Sequence, residues 1–523
     1  MQVSHSDTLL QSPAIQALGQ FILARRQTWQ KQVPEFEQFE QELHTFIMAV
    51  ECECLSAELK RYDVAAPAVE VGGTIYRQVL ASPETYLTAA GPVKVERHLY
   101  RPAGRSSKSL CPLEVRAGMI AGSYTPRAAR QAAFVMAHLT SGESEELFGE
   151  LGGMQPSRSH LDRLPKAISP HWETHRLEWE AALRAQETVP AEAAVLALSV
   201  DGVMAPIKGG HNPVQRAQPG KHASGPTGNR EVGCGTVVLY DAEGVRLQTI
   251  RYGRMPESNK TSLQHQLQAE AVSILALRPD LVRVRLADGA KDNWRLLAEV
   301  ERALPAPPQP SIEIVDFYHA CEHLKRGCDA AWGESTAYGQ AEFVRLKTLL
   351  KEATDGADVV IRVLKYQHSR AGGNKRKRLE AELTYFRNQK PRMHYADYIR
   401  RGLPIASGVM EAACKTLVTQ RTPHHPPPAW RCQRAVGRWV RVKRSGMAWT
   451  LTGGQAILTL RSLIQSQRWS SAWGLVSADF RQTVIERSPQ LARAQTQTLH
   501  PAACKPTSDR STRASYAALP LVA

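Results

Sequence analysis

Two largely apolar segments in the middle of the chain each end at an Asp-Gly pair. Residues 194–200 precede Asp201, and residues 281–287 precede Asp288. Segments of this kind are typical of strands buried within a sheet. A carboxylate at the end of such a strand is held rigidly, and the glycine that follows leaves the exit uncrowded. The pattern therefore predicts a buried sheet that presents acidic side chains at its edge.

The segments around these two strands alternate between strand and helix. The predicted elements, in chain order, are a strand ending at residue 201, a hairpin over 236–252, a helix over 261–277, a strand over 281–287, a helix over 293–304 and a strand over 312–315. This order describes a ribonuclease-H-like arrangement, a mixed sheet whose first three strands are antiparallel and whose other strands are added through helices. The predicted fold class is α/β, with a ribonuclease-H-like catalytic domain that contains a helical insertion and follows a mainly helical N-terminal DNA-binding region.

The other segments indicate how the chain is divided. Apolar residues at three- and four-residue steps predict helices before residue 61, and alternation over 93–100 predicts a small hairpin. Strand signals are absent between 320 and 400. The predicted division is an N-terminal helical region (1–85), a small β-hairpin (86–115), a helical, helix-turn-helix-like DNA-binding region (116–190), the first part of the catalytic domain (191–320), a helical insertion (321–400), the last part of the catalytic domain (401–470) and a polar, disordered tail (471–523).

Composition favours a nucleic acid as the partner. The chain has 66 Lys and Arg against 50 Asp and Glu, a net charge of +16, and such an excess favours polyanions. Its nine cysteines include no C-x-x-C pair, which favours reduced thiols in a cytosolic protein. No apolar run approaches the ~20 residues of a membrane helix. We therefore expect a cytoplasmic protein with no membrane partner.

Two basic segments are candidate DNA contacts. A turn over 153–157 and a short helix after it suit a helix-turn-helix recognition element, although an ordinary helix pair explains the pattern equally well. The basic run at 375–378 is either a solvated helix face or a track for phosphates. The candidate side chains are Arg158, His160, Arg163, Lys375, Arg376, Lys377 and Arg378.

A third acid, Glu411, completes a set with Asp201 and Asp288. It follows Ser407, a plausible N-cap, in the first turns of a predicted helix. In-line chemistry at a phosphodiester is served by two divalent cations about 3.5–4 Å apart. Mg²⁺, or Mn²⁺, prefers carboxylate and water oxygens. The set predicts a metal-dependent nuclease or transposase, with Asp201 as the ligand shared by both ions.

A further cluster follows the last predicted strand. Asp316 and His319 lie at the start of a helix, where they either orient a phosphate, a water or the metal ligands, or serve as a helix cap and a packing residue. Cys321 and His323 have no partner pair nearby, so we do not expect zinc there.

These residues resemble the bacterial insertion-sequence transposases of the Mutator-related DDE group, most closely its Kra-type branch. The similarity spans roughly residues 112–473. It is carried by Ser199-Val200-Asp201-Gly202, Ala287-Asp288-Gly289-Ala290 with Trp294, Val315-Asp316-Phe317-Tyr318-His319-Ala320 with Glu322-His323-Leu324, Ser407-Gly408-Val409-Met410-Glu411-Ala412-Ala413-Cys414-Lys415, Lys443-Arg444-Ser445-Gly446-Met447 and Gly453-Gly454-Gln455-Ala456-Ile457-Leu458.

The resemblance implies a carboxylate triad that holds Mg²⁺ and an Asp-x-x-His signature. Asp201, Asp288 and Glu411 match the triad, and Asp316 and His319 match the signature. It also implies binding to inverted-repeat ends and to target DNA, assembly as a homo-oligomer on DNA, and a nucleoid-associated location. Lys415 follows Glu411 by one turn, where it either contacts DNA or pairs with Glu411.

The chain departs from the family at two places. Relatives often carry a cysteine-containing, zinc-ribbon-like hairpin where this chain has only Cys111, so no zinc is expected there. Residues 422–442 separate two segments that are nearly adjacent in relatives, and they interrupt the helix after Glu411. Two alternatives to an active transposase therefore stay open: a decayed copy that only binds DNA, and a related ribonuclease-H-like nuclease.

Overall fold

The computed structural model describes residues 12–29, 35–102, 109–207, 229–419 and 449–488. Its elements, in chain order, are α1 (Pro13–Trp29), α2 (Phe36–Lys60), β1 (Ala68–Val71), β2 (Thr74–Leu87), β3 (Pro92–Pro102), α3 (Pro112–Ala117), α4 (Pro126–His138), α5 (Ser141–Leu151), α6 (Arg158–Ala185), β4 (Val195–Pro206), β5 (Asn229–Tyr240), β6 (Arg246–Arg254), a 3₁₀ turn (Ser258–Lys260), α7 (Thr261–Leu277), β7 (Val282–Ala287), α8 (Lys291–Arg302), β8 (Ile312–Val315), α9 (Phe317–Trp332), α10 (Ala337–Glu352), α11 (Gly356–Ser369), α12 (Gly373–Gln389), a 3₁₀ turn (Lys390–Arg392), α13 (Tyr395–Arg400), α14 (Gly408–Ala413), a π-helical turn (Cys414–Thr419), α15 (Leu451–Gln465), α16 (Trp469–Asp479) and β9 (Ile485–Arg487).

The central sheet has five strands in the order β6-β5-β4-β7-β8. β4, β5 and β6 are antiparallel neighbours, whereas β7 and β8 run parallel to β4. The β5–β6 hairpin is closed by Asp241, whose Oδ1 accepts a hydrogen bond from the Val245 amide at 2.7 Å. The parallel strands follow α7 and α8, because a parallel neighbour requires a crossover. This mixed sheet is the one predicted from the sequence, and it fits a ribonuclease-H-like α/β fold.

Helix α7 packs closely on β5 because two glycines on that strand leave room for it. A Cβ at Gly235 would lie 3.0 Å from Cδ1 of Leu263 and 3.1 Å from Leu267. Both leucines are fully buried. Along the outer edge of the sheet, the amides of Arg251 and Gly253 on β6 donate to Ser466 and Ser462 at 2.9 and 3.1 Å, which attaches the C-terminal end of α15 to β6.

A second sheet lies where the sequence predicted helix through residue 85. Its order is β3-β2-β1-β9. The predicted hairpin strand at 93–100 is present as part of β3, but its main partner is β2, which precedes it. Most of β2 is exposed or half-buried, and its sequence includes Pro83, a residue that disfavours a strand prediction, so the segment lacks the clean alternation that would have predicted it. Tyr100 and Leu110 exchange backbone hydrogen bonds of 2.8 Å.

The segment predicted as a polar tail from residue 471 is ordered as far as β9. Trp469, in the first turn of α16, and Trp473 are buried against the helices of the 116–190 region. β9 pairs with β1, and Nε of Arg487 donates to Glu70 at 2.7 Å. A short polar strand at a sheet edge has little hydrophobic signal, which explains the difference. The rest of the predicted tail lies outside the described residues.

The predicted helical regions over 116–190 and 321–400 are helical in the structure. The short predicted recognition helix is the start of α6, which has 28 residues and continues through Pro165 and Pro170. Among the described helices, none combines the length and the apolar character needed to cross a bilayer.

Candidate active site

Asp201 and Asp288 occupy equivalent positions on two neighbouring parallel strands. Ser199 on β4 lies opposite Leu286 on β7, and each aspartate follows two residues later. Neighbouring strands are ~4.8 Å apart, so the two carboxylates lie at the same edge of the sheet. β4 does not end at Asp201 as the sequence predicted. It continues to Pro206 because β5 keeps pairing with it beyond the end of β7.

Asp201 is half-buried, and its carboxylate is held by two donors. Its Oδ1 accepts from the Gly202 amide at 2.7 Å, and its Oδ2 from the Cys414 thiol at 3.6 Å. Burial raises the pKa of Asp201 above its ordinary value, and the negative charge of Asp288 acts in the same direction. A cation beside these two carboxylates would offset their mutual repulsion and the cost of burying the charge of Asp201.

Asp288 is oriented by a series of polar contacts with the residues that follow it and with Lys260 and Glu231 beyond them. Its Oδ1 accepts from the Ala290 amide at 3.0 Å and from Nδ2 of Asn293 at 3.1 Å. The buried Asn293 amide accepts in turn from Nζ of Lys260 at 3.1 Å, and Lys260 pairs with Glu231 at 2.8 Å. Because Lys260 donates to Oδ1 of Asn293, the Nδ2 of that amide faces Asp288.

Two backbone features allow these contacts: the left-handed conformation of Lys260 and the absence of a Cβ at Gly202. Lys260 lies in the left-handed region with φ of 53°, which is strained for a residue with a side chain. A Cβ at Gly202 would lie only 1.8 Å from Oε1 of Glu231. Glycine at position 202 therefore leaves the space in which Glu231 reaches Lys260.

Asp316 is a buried structural cap that joins two parts of the site. One carboxylate oxygen accepts from the His319 amide at 2.6 Å, which caps α9, and the other accepts from the Ser407 amide. Its side chain is only 5% exposed, and both oxygens already have donors. Of the two predicted roles, the structure supports the cap. His319 is half-buried, and its Nδ1 lies 3.8 Å from Glu322.

Glu411 lies on α14, which Asp316 holds through Ser407. Its carboxylate is exposed, while the neighbouring Met410 packs against Thr236 on β5 with its sulfur 3.8 Å from the hydroxyl. Cys414, one turn later, contacts Asp201. The helix that carries Glu411 is therefore placed beside β4 and β5. Ser407 precedes α14 as predicted, but its side chain makes no capping hydrogen bond.

Within the described ranges, no three His, Cys, Asp or Glu side chains are close enough to hold a metal ion together. The structure brings Asp201 and Asp288 to one sheet edge and places the Glu411 helix nearby, without closing a three-ligand group. Residues 422–442 and the Lys443–Met447 motif, on which the predicted interruption depends, lie outside the described residues.

The predicted DNA-binding residues lie on the surface. Arg158 and Arg163 are exposed on α6, whereas His160 is half-buried and its Nδ1 lies 3.1 Å from the Ser157 hydroxyl. The 375–378 run is exposed in the first turns of α12, with Lys375 donating to the Ala331 carbonyl at 2.6 Å. Arg376 and Lys377 are exposed there, and Arg378 lies 3.5 Å from Glu334. Lys415 is exposed on the π-helical turn.

Three residues that contact the aspartates or their partners were not predicted from the sequence: Lys260, Asn293 and Cys414. Asn293 follows Asp288 by only five residues, in the first turn of α8, so its proximity to Asp288 could have been predicted. Lys260 comes from a distant segment and carries no local motif.

The comparisons with known proteins give distant similarity among solved structures only. No protein-family model matches the chain, and no curated protein matches it. Among solved structures, the chain is similar to the Drosophila P element transposase strand transfer complex, with 10% sequence identity and a TM-score of 0.25, over 72% of this chain and 86% of that chain. A TM-score this low does not define the fold, which is defined here by its own strand order.

Proposed function

We propose that this protein is a DDE transposase of the Mutator-related bacterial insertion-sequence group, of the Kra-type branch. It binds the inverted-repeat ends of its element, cleaves DNA with two metal ions and joins the 3′-hydroxyl ends to target DNA. One observation carries the proposal: Asp201 and Asp288 each follow the last pair of the parallel strands β4 and β7 by two residues, and the Glu411 helix is held beside them.

The residues that would hold the cations are Asp201, Asp288 and Glu411. Their oxygen donors fit Mg²⁺, or Mn²⁺. Mg²⁺ in phosphoryl-transfer sites is usually bound by one or two carboxylates together with substrate phosphates. Two carboxylates at one end of the sheet and a third on an adjacent helix agree with this pattern of Mg²⁺ coordination. When bound, the ions supply an activated nucleophile and relieve charge on the leaving oxygen.

The protein itself positions these carboxylates and attracts the DNA. Asn293 and the Ala290 amide hold one oxygen of Asp288, which leaves the other for a ligand. The net charge of +16 favours DNA in general, and exposed Arg158, Arg163 and the 375–378 run are the proposed contacts. Synapsis of two element ends implies a homo-oligomer on DNA.

The test is Mg²⁺- or Mn²⁺-dependent cleavage of duplex DNA taken from the sequences that flank the reading frame. Asp201→Ala and Asp288→Ala are expected to abolish cleavage while leaving DNA affinity nearly unchanged. Asp280→Asn is the matched control, because this exposed aspartate precedes the same strand, β7, at its other end. Cleavage that survives Asp201→Ala would refute the site.

A catalytically decayed transposase that only binds DNA is the second candidate. Residues 422–442, which separate two segments that are nearly adjacent in relatives, favour it. Deleting residues 422–442 and measuring excision separates the two. Excision by the intact chain would exclude decay, and excision restored only by the deletion would show that this segment disables the copy. Cleavage without strand transfer would favour a related nuclease.

A further inference from the structure

Helices α1 and α2 form a hairpin whose apolar side chains remain partly exposed. The two helices are antiparallel: the Ala14 amide donates to Glu53 at 3.0 Å near one end of the hairpin, and Arg25 donates to the Glu35 carbonyl at 2.8 Å near the other. Among the described side chains of α1 none is buried, and in α2 only Leu59 is. Two helices alone cannot enclose a core, so this hairpin has an apolar face left to cover.

The remaining apolar side chains lie on one side of the hairpin. Phe21 packs between the helices, with its ring centroid 5.7 Å from that of Phe39 and 4.8 Å from that of Phe46. At about 100° per residue, each helix carries two further apolar residues about 60–120° round from these contacts, in the same sense of rotation. Because the helices are antiparallel, the same sense of rotation leads to the same side of the hairpin. This hairpin face consists of Ile15, Ile22, Phe36 and Ile47.

The hairpin face suits a protein partner rather than DNA. Ile22, Phe36 and Ile47 are 39%, 69% and 43% exposed, and exposed apolar side chains grouped in this way mark protein interfaces. Helix α2 carries six glutamates and one lysine, whereas α1 carries two arginines and no acid. The hairpin as a whole is therefore negative, unlike the rest of this basic chain, and does not attract a polyanion.

The opposite charges of the two helices fit the hairpin of a second copy. A two-fold axis parallel to the helices places α1 of each copy over α2 of the other, in an antiparallel four-helix bundle. A two-fold axis across the helices would instead bring the six glutamates of each α2 together. In the first arrangement Arg26 lies level with Glu37 and Glu40 of the other copy, because its neighbour Arg25 lies level with Glu35 and Phe39.

The size of the face agrees with a dimer of modest affinity. Helix α1 has 17 residues, so the face is ~25 Å long, and two helices side by side make it ~20 Å wide. Two such faces bury roughly 1,000 Å² in total, which is near the lower end of specific interfaces. We expect a dissociation constant on the order of 10 µM.

We propose that the hairpin face binds the same face of a second copy of this chain, with α1 of each copy over α2 of the other. The contact requires no DNA. Its use in holding two element ends together rests on the proposed function, whereas the contact itself rests on the exposed side chains and charges of the hairpin.

Sedimentation equilibrium of the full chain without DNA tests the proposal, at concentrations from about 1 to 100 µM. Ile22→Glu combined with Ile47→Glu should weaken association at least ~100-fold, because each charge would be buried without a partner. Leu23→Glu is the matched control. This leucine is 59% exposed on the same helix, but it lies about 200° round from Phe21 and so points away from the face. All variants should keep the melting temperature of the wild type.

A charge reversal tests which helices meet. Arg26→Glu should weaken association about three- to tenfold, and adding Glu40→Lys should restore it. Failure of Glu40→Lys to restore association would refute the pairing of α1 with α2. This pair of variants also decides the matter if the glutamates at 22 and 47 disturb the hairpin itself.

Two results would overturn the proposal. A wild type that stays monomeric through this range would show that another part of the chain covers the face or that it stays open, and a dimer that survives Ile22→Glu with Ile47→Glu would show that a different surface pairs. The proposed function fails separately, if the wild type and Asp201→Ala cleave DNA equally. The measured masses then still decide whether the hairpins pair.

Discussion

Removing the Asp316 carboxylate should loosen the site without touching a metal ligand. This buried side chain accepts hydrogen bonds from the amides of His319 and Ser407, so it joins the start of α9 to the start of the helix that carries Glu411. Asp316→Ala removes both acceptors. Asp316→Asn keeps one acceptor oxygen and turns a donor toward the other amide.

The magnitude follows from these two contacts. Loss of an N-cap costs about 1 kcal/mol, and a buried amide left without an acceptor costs about 1–3 kcal/mol. Asp316→Ala should therefore lower the free energy of unfolding by roughly 2–4 kcal/mol, and Asp316→Asn by about half as much. Chemical denaturation measures the difference as a shift in midpoint. We also expect slower cleavage, because α14 loses its anchor.

Asp355→Asn is the control, since Asp355 stands at the N-cap of α11 without a capping hydrogen bond. Its free energy of unfolding should change by less than about 0.5 kcal/mol. A metal ligand at position 316 would behave differently: Asp316→Asn would weaken the response to Mg²⁺ and leave the stability intact. That result, or an Asp316→Ala variant as stable as the wild type, would refute the structural role.

Three other expectations follow from single contacts. Burial raises the pKa of Glu180, so the folded protein keeps this proton to higher pH than the unfolded chain. The stability that this group contributes therefore falls as pH rises from its ordinary pKa through its folded pKa. In a pH series of melting curves, Glu180→Gln should have a higher melting temperature than the wild type at neutral pH and the same melting temperature below about pH 4. Gly202→Ala should lower the free energy of unfolding by less than about 1 kcal/mol in chemical denaturation, because its Cβ displaces the exposed Glu231 side chain and breaks its ion pair with Lys260, whereas Gly149→Ala, with no atom within 4 Å, should not. Asn293→Ala should weaken Mg²⁺-dependent cleavage about 10- to 100-fold in a metal titration, as loss of a residue that orients a ligand does.

The sequence predicted the central sheet well because its signals are local. Apolar runs define β4 and β7, and Asp241 with Gly244 defines the hairpin between β5 and β6. Once these strands are placed, the crossover rules leave few orders for the sheet. The positions of Asp201 and Asp288 then follow, because each stands directly after an apolar run. The extent of β4 beyond Asp201 and the start of β5 at Asn229, before the predicted strand at 236, were missed, because these two stretches pair with each other.

Features that depend on distant contacts could not be predicted in this way. β9 forms only because β1 offers an edge, and a three-residue polar segment contains no signal of its own. Lys260 reaches Asn293 through a strained turn, and Tyr385 reaches Gly289 from another helix. In the sequence, neither Lys260 nor Tyr385 lies in a pattern that distinguishes it from an ordinary surface residue. Tertiary packing alone gives it a role at the site.

The three acids are therefore not equivalent. Asp201 and Asp288 are fixed by the register of their strands. A one-residue slip would turn every side chain of a strand to the other face of the sheet, so the buried core specifies this register strongly. Glu411 stands on a helix of six residues, too short to be stable alone. That helix is held at one end by the Asp316 bond to Ser407 and at the other by the Cys414 contact with Asp201. The third carboxylate thus depends on tertiary contacts that the first two do not need, and substitutions that weaken those contacts should impair cleavage before they disturb the sheet.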